Sequence, residues 1–207
     1  MHNLYCGKMN LHKVLDRSTP YHFPHTTQVA GTAVVYGGDD RFYNNLFVGV
    51  EGVPNCGTAG YNPNTTSFEE YVEKVLAEGV GDLEMYKRVE QPVYIGANAY
   101  VHGAEGFDRE QGAFTDKTFD PGVKVIEEDG KVYLEINLPQ NLLDVPAKIA
   151  STETLGTVRI VDAIFDDPNA NPITLDHDYL GARRSDKPVV GPIEGLKPGF
   201  NRVKVWG

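Results

Sequence analysis

The sequence predicts a mainly β fold: coils of a parallel β-helix, then an antiparallel β-sheet or sandwich region, with one inserted helix. Three observations predict it. The chain of 207 residues holds 22 Gly and 13 Pro, and most of its apolar runs are short, which favours strands and turns over long helices. Short segments led by Asn and closed by Gly recur along its first half. Its second half contains a strong hairpin signal between alternating strands.

The recurring segments are "HNLYCG" at 2–7 and "NNLFVG" at 44–49, with "ANAYVHG" at 97–103 as a looser third. Asn is followed in each by an apolar or small residue and an aromatic. Repeated short strands of this kind suggest stacked coils. Each coil turns a corner that needs a left-handed residue, which Asn tolerates, and an Asn amide can bond the Asn of the next coil. Between the second and third repeats, "TSFEEYVEKVLAEG" at 66–79 predicts a helix. Ser67 and Glu70 fit a capping box, Phe68, Tyr71, Val72, Val75 and Leu76 form an apolar stripe, and Gly79 is a natural stop. A shorter helical piece is expected through Leu83, Tyr86 and Val89. From about 118 the character changes. "VKVIEEDGKVYLEINLP" reads as two strands around Asp129-Gly130, and "TVRIVDAIF" and "FNRVKVW" as further strands. The expected division is therefore 1–117, coils with a helical insertion at about 66–90, and 118–207, an antiparallel region packed on them. Trp206, in an apolar terminal strand, is expected to be buried.

A net charge of −10 argues against a nucleic-acid partner and against an anionic membrane surface, and leaves neutral ligands such as sugars open. No apolar run approaches the roughly 20 residues of a membrane helix. The start, "MHNLYCGKMNLHK", lacks the order of a signal peptide, which favours a cytoplasmic location. The two cysteines, Cys6 and Cys56, carry no metal or redox motif and read as buried free thiols. Strand-like sequence begins at the second residue without a cap, so an upstream polypeptide or a second copy is expected to cover an open first coil.

"STPYHFPHT" at 18–26 places His22 and His25 three apart with Tyr21 and Phe23 beside them. A zinc site would want a helix, which Pro20 and Pro24 forbid, and no third ligand is evident nearby, so neither a metal nor a cofactor is expected. A packed loop or a ligand-facing edge remains, the latter because neutral His and Tyr exchange hydrogen bonds with hydroxyls. In "GGDDRFYNN" at 37–45, strand alternation sends Asp39, Arg41 and Tyr43 to one face and Asp40, Phe42 and Asn44 to the other. Arg41 is expected to pair with Asp39 and hold a corner. Asp39 and Asp40 can converge on one ligand only if the preceding Gly-Gly makes a turn. Tyr21, His22, His25, Asp40 and Arg41 are the candidate sugar-binding residues, placed at a cleft edge by their chemistry.

No phosphate-cradling loop, dinucleotide fingerprint or nucleophile elbow occurs. "YLGARRSDKP" at 179–188 reads as a charged surface loop, and "DDPNANP" at 166–172 as a turn-rich loop without the spacing of a calcium site.

"TPYHFPHTTQVAG" followed by "GGDDRFYNNLFVG" resembles a segment of the bacterial family 120 β-xylosidases. "NPITLDHDYLGARRSDKPVVGPIEGLKPGFNRVKVW" resembles their C-terminal region, and the order of the motifs extends the resemblance along the whole chain. It implies a right-handed parallel β-helix with an associated β-sandwich, and retaining hydrolysis of β-1,4-xylosides by two carboxyl groups about 5–5.5 Å apart. The resemblance places that pair upstream of the matched segment and so implies no catalytic residue here. The expected function is therefore part of a glycoside hydrolase acting on xylo-oligosaccharides. The alternative is a non-catalytic carbohydrate-binding or structural β module.

Overall fold

The structure is a computed structural model that describes residues 1–12, 14–35, 38–62, 73, 77, 93–158 and 161–207. Of the helix expected at 66–79 only Glu73 and Ala77 are described, and both are helical; the rest of it and the helical piece after it lie outside the described residues.

The fold is mainly β. The strands are β1 Leu4–Cys6, β2 Val14–His22, β3 Val29–Val35, β4 Asp40–Tyr43, β5 Leu46–Val48, β6 Val93–Gly96, β7 Ala99–Val101, β8 Phe114–Asp116, β9 Lys124–Glu128, β10 Lys131–Leu138, β11 Thr157–Val158, β12 Ala163–Ile164 and β13 Gly199–Trp206. Among the described residues, helix other than at 73 and 77 occurs as single turns, such as Gln140–Leu143 and Thr152–Leu155, and no helix is long and apolar enough to cross a membrane.

The three Asn-led segments form parallel neighbours. The sheet order is β1-β5-β7-β8, with Leu4 opposite Leu46 and Leu46 opposite Ala99. The residue before each Asn is left-handed: φ is 51° at His2, 59° at Asn44 and 53° at Ala97. The corner and the bonding Asn are thus separate, adjacent positions, where the sequence pattern had merged them into one. The Asn side chains then form a ladder. Asn3 donates its backbone N–H and its Nδ2 to Asn45 Oδ1, at 3.0 and 3.2 Å. Asn45 does the same to Asn98 Oδ1, both at 2.8 Å. Asn98 does the same to Glu110 Oε1, at 3.0 and 2.8 Å. The register puts Ala113 of the fourth level opposite Asn98, so a carboxylate from the preceding loop ends the ladder in place of a fourth Asn.

Two residues beyond each Asn, the aromatics stack. Tyr5 on Phe47 and Phe47 on Tyr100 are each 5.0 Å apart and within 9° of parallel. The Tyr100 hydroxyl donates to Glu110 Oε2 at 2.5 Å, which ties the stack to the end of the ladder. At Gly49, after β5, a Cβ would lie 1.9 Å from the carbonyl oxygen of His102, so no other residue fits there.

The alternate residues of the same strands face the other way. Leu46, Val48, Ala99 and Val101 share one core with Leu134, Ile136 and Leu138 of β10 and with Val190 and Ile193. Burial on both faces is what parallel strands require. The antiparallel sheet is ordered β13-β10-β9, and its hairpin turns at Asp129 and Gly130, at φ 50° and 71°, as a two-residue turn of this composition does.

Several expectations need correction. Trp206 is 70% exposed. Val203 and Val205 take the core face of β13, and alternation sends Arg202, Lys204 and Trp206 to solvent. "TVRIVDAIF" is not one strand but the pair β11 and β12, antiparallel, with left-handed Asp162 between them. Cys6 is exposed because β1 is an edge strand, whereas Cys56 is buried. Arg184 is buried rather than in a surface loop: it donates to Glu194 at 3.4 Å and to the carbonyl of Pro192 at 3.3 Å.

His2 at the first corner accepts a bond at Nε2 from Asn44 Nδ2, 3.0 Å away, and burial, then the charge of Arg184, push its pKa down to about 4. The unfolded chain therefore takes up this proton first. The His2 contribution to stability is complete above pH 6.5 and is lost as pH falls towards about 4. Denaturant titrations across that window should show a loss for the native chain that is smaller in His2→Gln. In the same assay at neutral pH, Phe47→Ala should cost about 3–5 kcal/mol and Asn45→Ala at least about 2 kcal/mol. Trp206→Ala should stay within about 0.5 kcal/mol.

Candidate functional site

The five residues singled out by the sequence do not form one cluster. β2 and β3 pair antiparallel as a hairpin, and the tip between them carries His25 in a left-handed conformation, φ 55°. His25 Nε2 meets Asp166 Oδ2 at 2.9 Å, so the tip is latched to the loop after β12. Tyr21 crosses over Gly31, where an added Cβ would lie 2.4 Å from the tyrosine oxygen. His22 ends β2, exposed, opposite Val29.

Arg41 lies on β4, beside Tyr94 of its parallel partner β6. Its side chain is 5% exposed. Nε donates to the carbonyl of Leu155 at 3.1 Å, one terminal nitrogen donates to the carbonyl of Thr157 at 2.7 Å, and the other donates to the carbonyl and the carboxylate of Asp39. The guanidinium lies 4.2 Å from the Tyr94 ring centroid and 5.0 Å from that of Phe165. Arg41 and His25 thus both grip the segment 155–166. The pairing with Asp39 agrees with the corner role the sequence suggested, and it engages each guanidinium nitrogen with protein.

Asp40 projects to the opposite side. Its Oδ2 accepts the Tyr61 hydroxyl at 2.5 Å. Tyr61 is the last residue of a 3-10 turn at Ala59–Tyr61, and its pKa is raised well above the ordinary phenol range by burial, then by its bond to Asp40 and that carboxylate's charge. The adjacent carboxylates are therefore held apart by different partners, and they do not converge on one ligand. Asp40 and Tyr61 line a cleft of about 360 Å³ together with Asn10, His12, Phe42 and Met9.

This cleft contains a carboxylate, a phenol, an amide, an imidazole and an aromatic ring. The polar groups offer the mixed donors and acceptors that hydroxyl groups need, and Phe42 supplies an apolar face. A carboxylate can accept several hydrogen bonds, so Asp40 keeps acceptor capacity beyond its bond to Tyr61. The sequence placed Phe42 on the face of Asp40, but it had not connected Tyr61 or Asn10 with them. Tyr61 lies 21 residues away in a glycine-rich turn, with no motif linking the two.

One solved structure, the complex structure of XylC with xylose, is similar to this chain, at a TM-score of 0.86 and 52% sequence identity. The similarity covers 100% of this chain and 32% of the other, so the chain spans about a third of the length of XylC. No protein-family model and no curated protein matches.

Removing the Arg41 side chain takes a donor from three carbonyls, those of Asp39, Leu155 and Thr157, and takes the guanidinium from the Asp39 carboxylate. Arg41→Ala should destabilise the chain by about 3 kcal/mol in urea unfolding. Arg41→Lys should recover little of this, because one ammonium cannot reproduce the fork of bonds and the ring stacking.

Proposed function

We propose that this chain is a segment of a glycoside hydrolase of the family 120 β-xylosidase type, acting on xylo-oligosaccharides, and that it supplies a wall of the sugar site rather than the catalytic carboxylates. Residues 1–117 are the later coils of a right-handed parallel β-helix, with a helical insertion at about 66–90, and residues 118–207 are the antiparallel region packed on them. The observation that carries this reading is the similarity at 52% identity, along the full length of the chain, to XylC, a protein solved with xylose. The ordered motifs of the sequence support the finer family, and the parallel ladder of β1, β5, β7 and β8 supports the coil architecture.

Within this reading the Asp40 cleft is the sugar-facing part. Asp40 accepts bonds from hydroxyls, the Tyr61 hydroxyl that donates to it holds that carboxylate in place, and Phe42 covers an apolar ring face. Arg41 and His25 serve it indirectly, by fixing the segment 155–166 against β4 and the hairpin tip. They are positioning residues, because their polar atoms are already bonded to protein.

The test pairs a calorimetric titration of xylobiose with an assay on a chromogenic β-xyloside. The lone chain should bind xylobiose saturably in the millimolar range or tighter, and Asp40→Ala should weaken binding about tenfold, about 1.4 kcal/mol. The lone chain should not hydrolyse the xyloside. Saturable binding unchanged in Asp40→Ala would move the sugar site elsewhere, absence of binding would remove the sugar-wall role, and hydrolysis would place the catalytic pair within this chain.

A further inference from the structure

Strand alternation gives β4 a second face. Asp40 and Phe42 look into the cleft already described, and Arg41 and Tyr43 look the other way, level with Tyr94 and Gly96 of β6. On this second face lies a cavity of about 410 Å³, whose lining includes Tyr43, Gly96, Ala97, Gln111, Pro146 and Lys148. Its size falls within the ~300–1,000 Å³ of small-molecule sites. It shares no lining residue with the Asp40 cleft.

A missing side chain opens this cavity. Gly96 is paired with Tyr43 on one side and bridged to Gln111 on the other. Its φ is not left-handed, and an added Cβ would meet only the Gln111 carbonyl oxygen and the Tyr43 ring, both at 3.5 Å, which is ordinary contact. Neither backbone nor packing therefore demands glycine here, and what the glycine provides is room between Tyr43 and Gln111. The walls are fixed. Ala97 N–H donates to the Gln111 carbonyl at 3.1 Å, and Asn44, at its left-handed corner, donates Nδ2 to the Lys148 carbonyl at 2.7 Å.

Three polar groups of the lining make no hydrogen bond or ion pair with protein among the described residues: the Tyr43 hydroxyl, the Gln111 side-chain amide and the Lys148 ammonium. Thr154, also in the lining, differs, because its hydroxyl is engaged with the backbone of Ser151. Burial, partly offset by the charge of Arg41, raises the Tyr43 pKa above the ordinary phenol value, so its hydroxyl stays protonated and can donate. Among the described residues the lining holds one cation and no carboxylate. Asp144 and Asp186 border Lys148 in a separate groove and do not pair with it.

A ligand that satisfies this lining brings an acid group for the lysine, hydroxyls for the phenol and the amide, and a compact apolar face for Ala97, Pro146 and the Tyr43 ring. We infer that the cavity is a binding site for a uronic acid, a six-membered sugar ring carrying a carboxylate, on the face of β4 opposite the Asp40 cleft. Lys148 meets the carboxylate as a point charge. Tyr43 and Gln111 exchange hydrogen bonds with the ring hydroxyls. Gly96 leaves room for the ring. The sugar-ring half of this inference rests on the sugar reading proposed above, and the carboxylate half rests on the lining alone.

The test is an NMR titration of the native chain with sodium D-glucuronate at constant ionic strength, with D-glucose as the neutral ring and sodium acetate as the bare acid. Glucuronate should bind saturably in the millimolar range and move the backbone amide signals of Gly96, Ala97 and Gln111. It should bind about fivefold more tightly than either control, the gain expected of one solvent-accessible ion pair. Lys148→Gln should remove the preference over glucose. Gly96→Ala should weaken glucuronate binding several-fold while the urea midpoint stays the same or rises, because alanine loses less backbone freedom on folding. No saturable shift at these amides, equal affinity for glucose, acetate binding as tight as glucuronate, or a preference that survives in Lys148→Gln would each overturn the inference. Displacement of glucuronate by xylobiose would place it in the Asp40 cleft and overturn the inference too. Glucuronate binding without any xylobiose binding would remove the sugar-wall role and leave this site standing, so the two readings fail separately.

Discussion

The parallel half of this molecule depends on one constraint: a left-handed corner followed at once by an asparagine. The corner turns the chain from one short strand to the next, and the asparagine holds consecutive corners in register. Each rung uses a backbone N–H and a side-chain amide on one acceptor oxygen, in a setting where Asn45 and Asn98 are fully buried. An unmade bond there carries a full desolvation cost, about 1–3 kcal/mol, so the ladder specifies register more strongly than its net bond energy suggests. The aromatic stack two residues on, and the aliphatic core on the opposite face, both inherit their alignment from it. Glu110 closes the ladder. Burial pushes its carboxyl above the usual range, against the lowering effect of its bonds from Tyr100 and Asn98. Its protonation therefore favours the folded state at low pH, opposite in sign to the effect of His2.

The second organising contact is Arg41. It reaches from a parallel strand to carbonyls of the C-terminal region, lies over two rings, and neutralises Asp39. With His25 on Asp166, it fastens the segment 155–166 to β4 and to the β2–β3 hairpin. Asp40 is left on the other side of the strand with Tyr61, facing a cleft. One pair of adjacent residues thus divides the labour: Arg41 holds the two regions together, and Asp40 serves the cavity.

Much of this was legible in the sequence because it rests on local rules. The three Asn-led segments, the Asp129-Gly130 hairpin and the division of Asp39 and Arg41 from Asp40 follow from left-handed tolerance, turn chemistry and period-two alternation. The assignment of the corner to the Asn itself was one residue out, since "NN" at 44–45 allows either reading and only His2 and Ala97 at the other levels resolve it. Trp206 was misplaced because terminal apolar residues were assumed to dock, although Val203 and Val205 already fill the core face. The burial of Arg184 and the Tyr61–Asp40 bond were not legible. Both depend on contacts between loops, where no periodicity marks which side chains meet.

The most direct test of the account is hydrogen exchange of the Asn side-chain amides, measured by NMR on the native chain. The ladder predicts that the Nδ2 protons of Asn45 and Asn98 exchange far more slowly than those of exposed Asn10. If they exchange as fast as Asn10 while the backbone amides of β5 and β7 stay protected, the strands are held in register by something other than the asparagines, and the account is contradicted.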